Sequence, residues 1–139
     1  MSSSGQGDPA GSQHAPLMKL GHCLFVLVPG KLRDTAAREL QDAVAERLAR
    51  EQGIRGLVID VSALDIVDSY AARVLEETAL VAKSFGARAV LVGVHPEVAV
   101  TLVDQGIDLK ALETALTLER ALAKLKLRIV SEDGDGPGP

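Results

Sequence analysis

The polar residues that could do chemistry collect in two short stretches. Asp65, Asp68 and Ser69 lie in D-I-V-D-S-Y-A-A-R, residues 65–73, and Asp60 closes the apolar run just before it. His95 and Glu97 lie in V-G-V-H-P-E, after a second apolar run. A serine hydroxyl at such a place has three uses: nucleophile, helix cap or phosphate acceptor. As a nucleophile it needs a base within hydrogen-bond reach. His95 is the one histidine of the folded segment expected near it, and Ser69 sits in V-D-S-Y-A rather than in G-x-S-x-G. A small serine hydrolase using Ser69 and His95 is therefore one reading of the residues. No catalytic residue is expected.

A metal-dependent phosphoaspartate site would need an acid pair after the first parallel strand, because Mg²⁺ takes oxygen ligands. The chain has Val28-Pro29-Gly30-Lys31 there. The lysine that such a site needs after the last strand is replaced by Thr117-Leu118. No P-loop and no G-x-G-x-x-G supports a nucleotide cradle. Cys23, the single cysteine, has no metal-ligand partner at useful spacing and reads as a small core hydrophobe. No metal and no cofactor is expected.

As a cap, the Ser69 oxygen would accept from the backbone N–H of Ala71 or Ala72, worth about 1 kcal/mol. As a phosphate acceptor it would gain about −1.5 to −2 charges and three acceptor oxygens. A helix N-terminus tolerates that charge, but Asp65 and Asp68 would be repelled by it. Ala71 and Ala72 are expected to leave the first turn flat, so that a partner protein approaches closely. The expected partner surface is therefore Asp65, Asp68, Tyr70, Ala71, Ala72 and Arg73 around the phosphorylatable Ser69.

The elements that must position these residues alternate in type. L-M-K-L and C-L-F-V-L-V predict a hairpin turning at Gly21-His22, and Pro29-Gly30 stops the second strand. Asp34 or Thr35 is expected to cap a helix running to about Gln52, with Ala37, Leu40, Val44 and Leu48 on its apolar face. Leu57–Val61 reads as a strand covered on both faces. A helix from about Tyr70 to Phe85 follows, with Val74, Leu75, Thr78, Ala82 and Phe85 inward and Gly86 closing it. Ala89–Val92 is a third buried strand. Pro96 starts a helix ending near Gly106. A short strand near Thr114–Leu116 leads to a last helix, about Leu118–Leu127, with Thr117 as its N-cap. This is an α/β pattern: a mostly parallel sheet with an N-terminal antiparallel edge strand and about four helices.

The 139 residues fit one domain. Residues 1–16 and 131–139 are almost free of apolar side chains and are expected to be disordered tails, leaving 17–130 as the folded unit. One Tyr, two Phe, no Trp and a net charge of −4 argue against nucleic acid, which needs basic stripes or stacking platforms. No apolar run approaches about 18 residues, so no membrane span is expected, and the chain reads as cytoplasmic.

The folded segment resembles a STAS domain, the fold of the anti-sigma factor antagonists. G-L-V-I-D-V followed by D-I-V-D-S and a helix is similar to the STAS phosphorylation loop. V-G-V-H-P-E-V-A-V-T-L-V-D-Q-G-I and E-T-A-L-T-L-E-R-A-L are similar to the short bacterial stressosome scaffold of the RsbS type. The resemblance implies phosphorylation of Ser69 by a serine/threonine kinase of histidine-kinase-like ATPase fold. It also implies a large complex with sensor-bearing STAS paralogues, retention of the kinase until Ser69 is modified, and a PP2C-type phosphatase that resets the system. Thr101 falls where such paralogues carry a second phosphorylated threonine; read as a helix residue, it bonds its own i−4 carbonyl. Simple antagonists have a small Ser/Thr-Gly pair after the serine. Tyr70-Ala71 departs from this and favours the scaffold over a monomeric anti-sigma factor antagonist. The chain is expected to lack a sensor segment and to relay a signal rather than detect it.

Overall fold

The computed structural model describes residues 17–109 and 112–125. The expected tails, and the last residues of the final helix, lie outside them. The chain runs β1 (Leu17–Leu20), β2 (Cys23–Leu27), β3 (Lys31–Leu32), α1 (Asp34–Arg50), β4 (Gly56–Asp60), β5 (Ile66–Val67), α2 (Ser69–Ser84), β6 (Arg88–Val92), α3 (Pro96–Asp104) and β7 (Glu113–Ala115). A fourth helix, α4, covers 118–125.

The main sheet has the order β1-β2-β4-β6-β7. Only β1 is antiparallel to its neighbour, pairing Leu17 with Val26 and Leu20 with Cys23. The other three pairings are parallel. Each βαβ crossover moves one strand in the same direction, so α1, α2 and α3 lie on one face of the sheet. There Leu24, Val26, Leu57, Ile59 and Leu91 from the strands meet Ala37, Leu40, Val44, Val74, Leu75, Val98 and Leu102 from the helices. α4 covers part of the opposite face, where Ala121 and Leu125 pack on Cys23, Val58, Val90 and Val92. β4, buried from Gly56 to Ile59, is covered on both faces as its unbroken apolar run requires.

The element order matches the expected α/β pattern, with five corrections. Neither Asp34 nor Thr35 caps α1. Arg33 holds the cap position without a side-chain hydrogen bond, Asp34 is the first helical residue, and the helix stops at Arg50. Phe85 is 47% exposed rather than inward. α2 ends one residue earlier, and the chain reverses through Gly86 at φ 87°, with Gly86 N–H donating to Lys83 O and Ala87 N–H to Ala82 O. That turn rotates Phe85 off the buried stripe, where Ala79 and Ala82 sit instead. A second, two-stranded parallel sheet, β3 with β5, was not expected.

Candidate functional site

The loop from β4 to α2 is tied down at nearly every residue. Asp60 Oδ1 accepts from Ser62 N–H at 2.9 Å and from Ser62 Oγ at 2.6 Å, closing a turn at the strand end. His95 Nε2 lies 2.6 Å from Ser62 O. Asp65 N–H donates to Gly30 O at 2.8 Å, and Ile66 and Val67 pair with Lys31 and Leu32. Leu64 is fully buried beneath. Gly93, at φ 78°, passes so close that a Cβ there would stand 2.7 Å from Ser62 Cβ. The loop therefore delivers Asp68 and Ser69 to the start of α2 at a set position.

Asp68, not Ser69, caps α2. Its Oδ1 accepts from Ala71 N–H at 2.7 Å. Ser69 is the first residue inside the helix and is exposed. The aspartate wins because its extended backbone (φ −86°, ψ 174°) sits at the half-turn where a cap must be. This leaves the serine hydroxyl outside the capping bond. Asp68→Ala should lower stability by about 1 kcal/mol in urea unfolding, with Ser69→Ala close to neutral. The reverse order would return the cap to the serine.

Ala71 and Ala72 do not border a flat exposed surface. Both are fully buried and belong to the main core, because they fall on the stripe continued by Val74, Leu75 and Thr78. The exposed side chains around Ser69 are Asp65, Asp68, Tyr70 and Arg73.

Ser69, Tyr70 and Arg73 open into a groove of about 720 Å³ between α1 and α2, with Arg38, Gln41, Val74, Glu77 and Gln105. Arg38 Nη1 donates to Tyr70 Oη at 3.1 Å, and Gln41 Nε2 to Glu77 Oε1 at 3.4 Å, bridging the helices. The hydrogen bond from Arg38 to Tyr70 and the nearby charges hold the guanidinium's pKa above its ordinary value. Arg38, Gln41 and Glu77 were not expected. Their signal was helical spacing: Arg38 and Gln41 follow the buried Ala37 and Leu40 by one residue, and Tyr70, Arg73 and Glu77 flank the buried stripe of α2.

The structure does not bring Ser69 and His95 together. His95 holds the cap position of α3, is bonded to Ser62 O and does not line the groove. With no histidine in the groove, the nucleophile reading loses its base. Thr101 donates to Glu97 O at 3.0 Å, the expected i−4 bond. Among the described residues, no group of three His, Cys, Asp or Glu could hold a metal ion, and no helix is long and apolar enough to cross a membrane.

A parallel sheet entered by one antiparallel hairpin, with a serine at the start of the helix after its central strand, is the STAS arrangement. A family model of the STAS domain matches residues 15–121, and the chain belongs to that family. Within it the similarity narrows to stressosome proteins. RsbS from Moorella thermoacetica, solved as a Ser-to-Glu variant, is 36% identical with a TM-score of 0.75, over 83% of this chain and 97% of that one. A chain from the molecular architecture of the stressosome, described as a signal integration and transduction hub, is 37% identical with a TM-score of 0.73, over 82% and 98%. The RsbT co-antagonist protein RsbRD of Bacillus subtilis (strain 168) is 28% identical over 116 residues, 83% of this chain; the chain spans 41% of its length.

Proposed function

We propose that this chain is a non-catalytic scaffold of a stressosome-type assembly, switched by phosphorylation of Ser69. The observation that carries the reading is Ser69 itself: exposed, held by a tied-down loop, and relieved of capping duty by Asp68. A kinase reaches such a hydroxyl without unfolding anything. Phosphorylation forms a P–O bond to Ser69 Oγ, breaks the bond between the β-γ bridging oxygen and the γ-phosphorus of a nucleoside triphosphate, and releases the diphosphate, with the hydroxyl proton lost to solvent. Similarity to RsbS over 97% of that chain supports the scaffold role.

In this reading the unmodified protein retains a serine/threonine kinase of histidine-kinase-like ATPase fold on a surface that includes Asp65, Asp68, Tyr70 and Arg73. Modification releases the kinase, and a PP2C-type phosphatase restores retention. Sensor-bearing STAS paralogues complete a cytoplasmic hetero-oligomer. An apolar strip supports assembly: Met18, Leu20 and Leu27 are more than half exposed beside Leu118 of α4, and strips of that kind mark protein contacts. Thr101 is a secondary site at most, since its hydroxyl already serves Glu97 O.

The test is fragment mass spectrometry of the protein after incubation with its cognate kinase and ATP. One phosphate on Ser69, absent from Ser69→Ala, is expected. An unmodified Ser69 under conditions where the kinase phosphorylates a known substrate would sink the reading.

A further inference from the structure

Two arginines, Arg38 and Arg73, line the groove beside Ser69. Arg73 lies four residues after Ser69 on α2, which puts the two side chains on one helix face. Among the described residues it has no hydrogen-bond or ion-pair partner. Arg38 reaches in from α1 and spends a single donor on the neutral hydroxyl of Tyr70, the residue next to Ser69. A guanidinium has five N–H donors in a rigid fork suited to phosphate. Its bonds to an anion are roughly twice as strong as those to a neutral acceptor.

We propose that the α1–α2 groove is an internal phosphate-binding site, in which Arg73 and Arg38 take the phosphate carried by Ser69 and Arg38 lets go of Tyr70 in doing so. The site rests on the reading of Ser69 as a phosphoserine. Its ligand class is a phosphomonoester dianion attached to the chain. The acids nearby do not fill it. Asp68 is occupied by Ala71 N–H, and Glu77 by Gln41. Asp65 stands on the loop and Asp42 on α1 beside Arg38. The signal then has two parts. Charge is gathered into the groove rather than displayed, and Tyr70, 41% exposed while tethered, is freed from α1.

Tyr70 is the only tyrosine and the chain has no tryptophan, so its emission reports on this site alone. The experiment uses the full chain with phosphoserine installed at position 69 during translation, alone and with Arg38→Gln or Arg73→Gln. Phosphorus NMR titration should place the second phosphate pKa at least about half a unit below the ordinary value near 6, because the arginines favour the dianion. Each Gln variant should move it back up. Acrylamide quenching of Tyr70 should rise on phosphorylation, and Arg38→Gln should show the raised quenching without phosphate. A phosphate pKa indifferent to both arginines overturns the site. A shifted pKa with unchanged quenching overturns the release of Tyr70. Because the phosphate is introduced without any kinase, failure of a kinase to modify Ser69 would count against the proposed function and leave these outcomes readable on their own.

Discussion

Protein carrying phosphoserine at position 69 should bind its cognate serine kinase at least about 30-fold more weakly than the unmodified protein, while Ser69→Ala binds as tightly as the parent. The factor follows from charge. Phosphate drawn into the groove occupies Arg73, part of the contact surface, and leaves Asp65 and Asp68 unbalanced toward the partner; like charges set against each other across an interface cost several kcal/mol. About 2 kcal/mol corresponds to roughly 30-fold. Removing the hydroxyl adds no charge and disturbs no cap, since Asp68 holds Ala71 N–H. Ser69→Asp should fall between, having one charge and too short a reach for a forked contact with Arg73. Calorimetric titration of kinase into the four proteins checks the order. Equal affinities for phosphoserine and alanine would leave the scaffold without its switch.

The second large effect is expected far from the serine in sequence. Gly93→Ala should destabilise the protein by at least about 2 kcal/mol, read as a lower urea midpoint with unchanged slope. Gly93 has φ 78°, which a side chain adopts only with strain. Its added Cβ would also meet Ser62 Cβ at 2.7 Å and Ser62 Cα at 3.1 Å. Ser62 has little freedom to retreat, being held by Asp60 and His95. Pushing it away loosens the loop that carries Ser69, so slower phosphorylation should accompany the loss of stability. Gly53→Ala is the control: its φ is 84°, but nothing lies within 4 Å of the added carbon. A loss at Gly93 no larger than at Gly53 would show that contact with Ser62 is unimportant.

Much of this architecture is legible in the bare sequence because period and composition carry it. Val58 and Ile59 read as a strand buried on both faces, and Ala37, Leu40, Val44 and Leu48 as one helix face, and both proved so. Phe85 misled because its spacing fits the buried stripe, while the reversal at Gly86 that removes it is a matter of backbone angle. Asp68 and Ser69 are both good caps by type. Only the position of the helix's first turn decides between them, and helix boundaries are the part of a pattern least well defined by spacing. Ala71 and Ala72 show the same limit: small side chains suit an exposed contact and a crowded core equally, and burial separates the two. The pairing of β3 with β5 leaves almost no trace in sequence, because two residues are too few to show a period. Arg38 was missed for a related reason, as its partner Tyr70 is 32 residues away.

The pairing of β3 with β5 has one further consequence. Gly30, Lys31 and Leu32 hold the acceptor loop from one side, and Arg38 and Gln41 wall the groove a few residues later. Under the proposed phosphorylation switch, the threshold of the response would have its own dial on a separate dozen residues. Sibling proteins that share an identical serine motif could be tuned apart by divergence there, and a graft of residues 30–41 between them should transplant responsiveness without transplanting the acceptor.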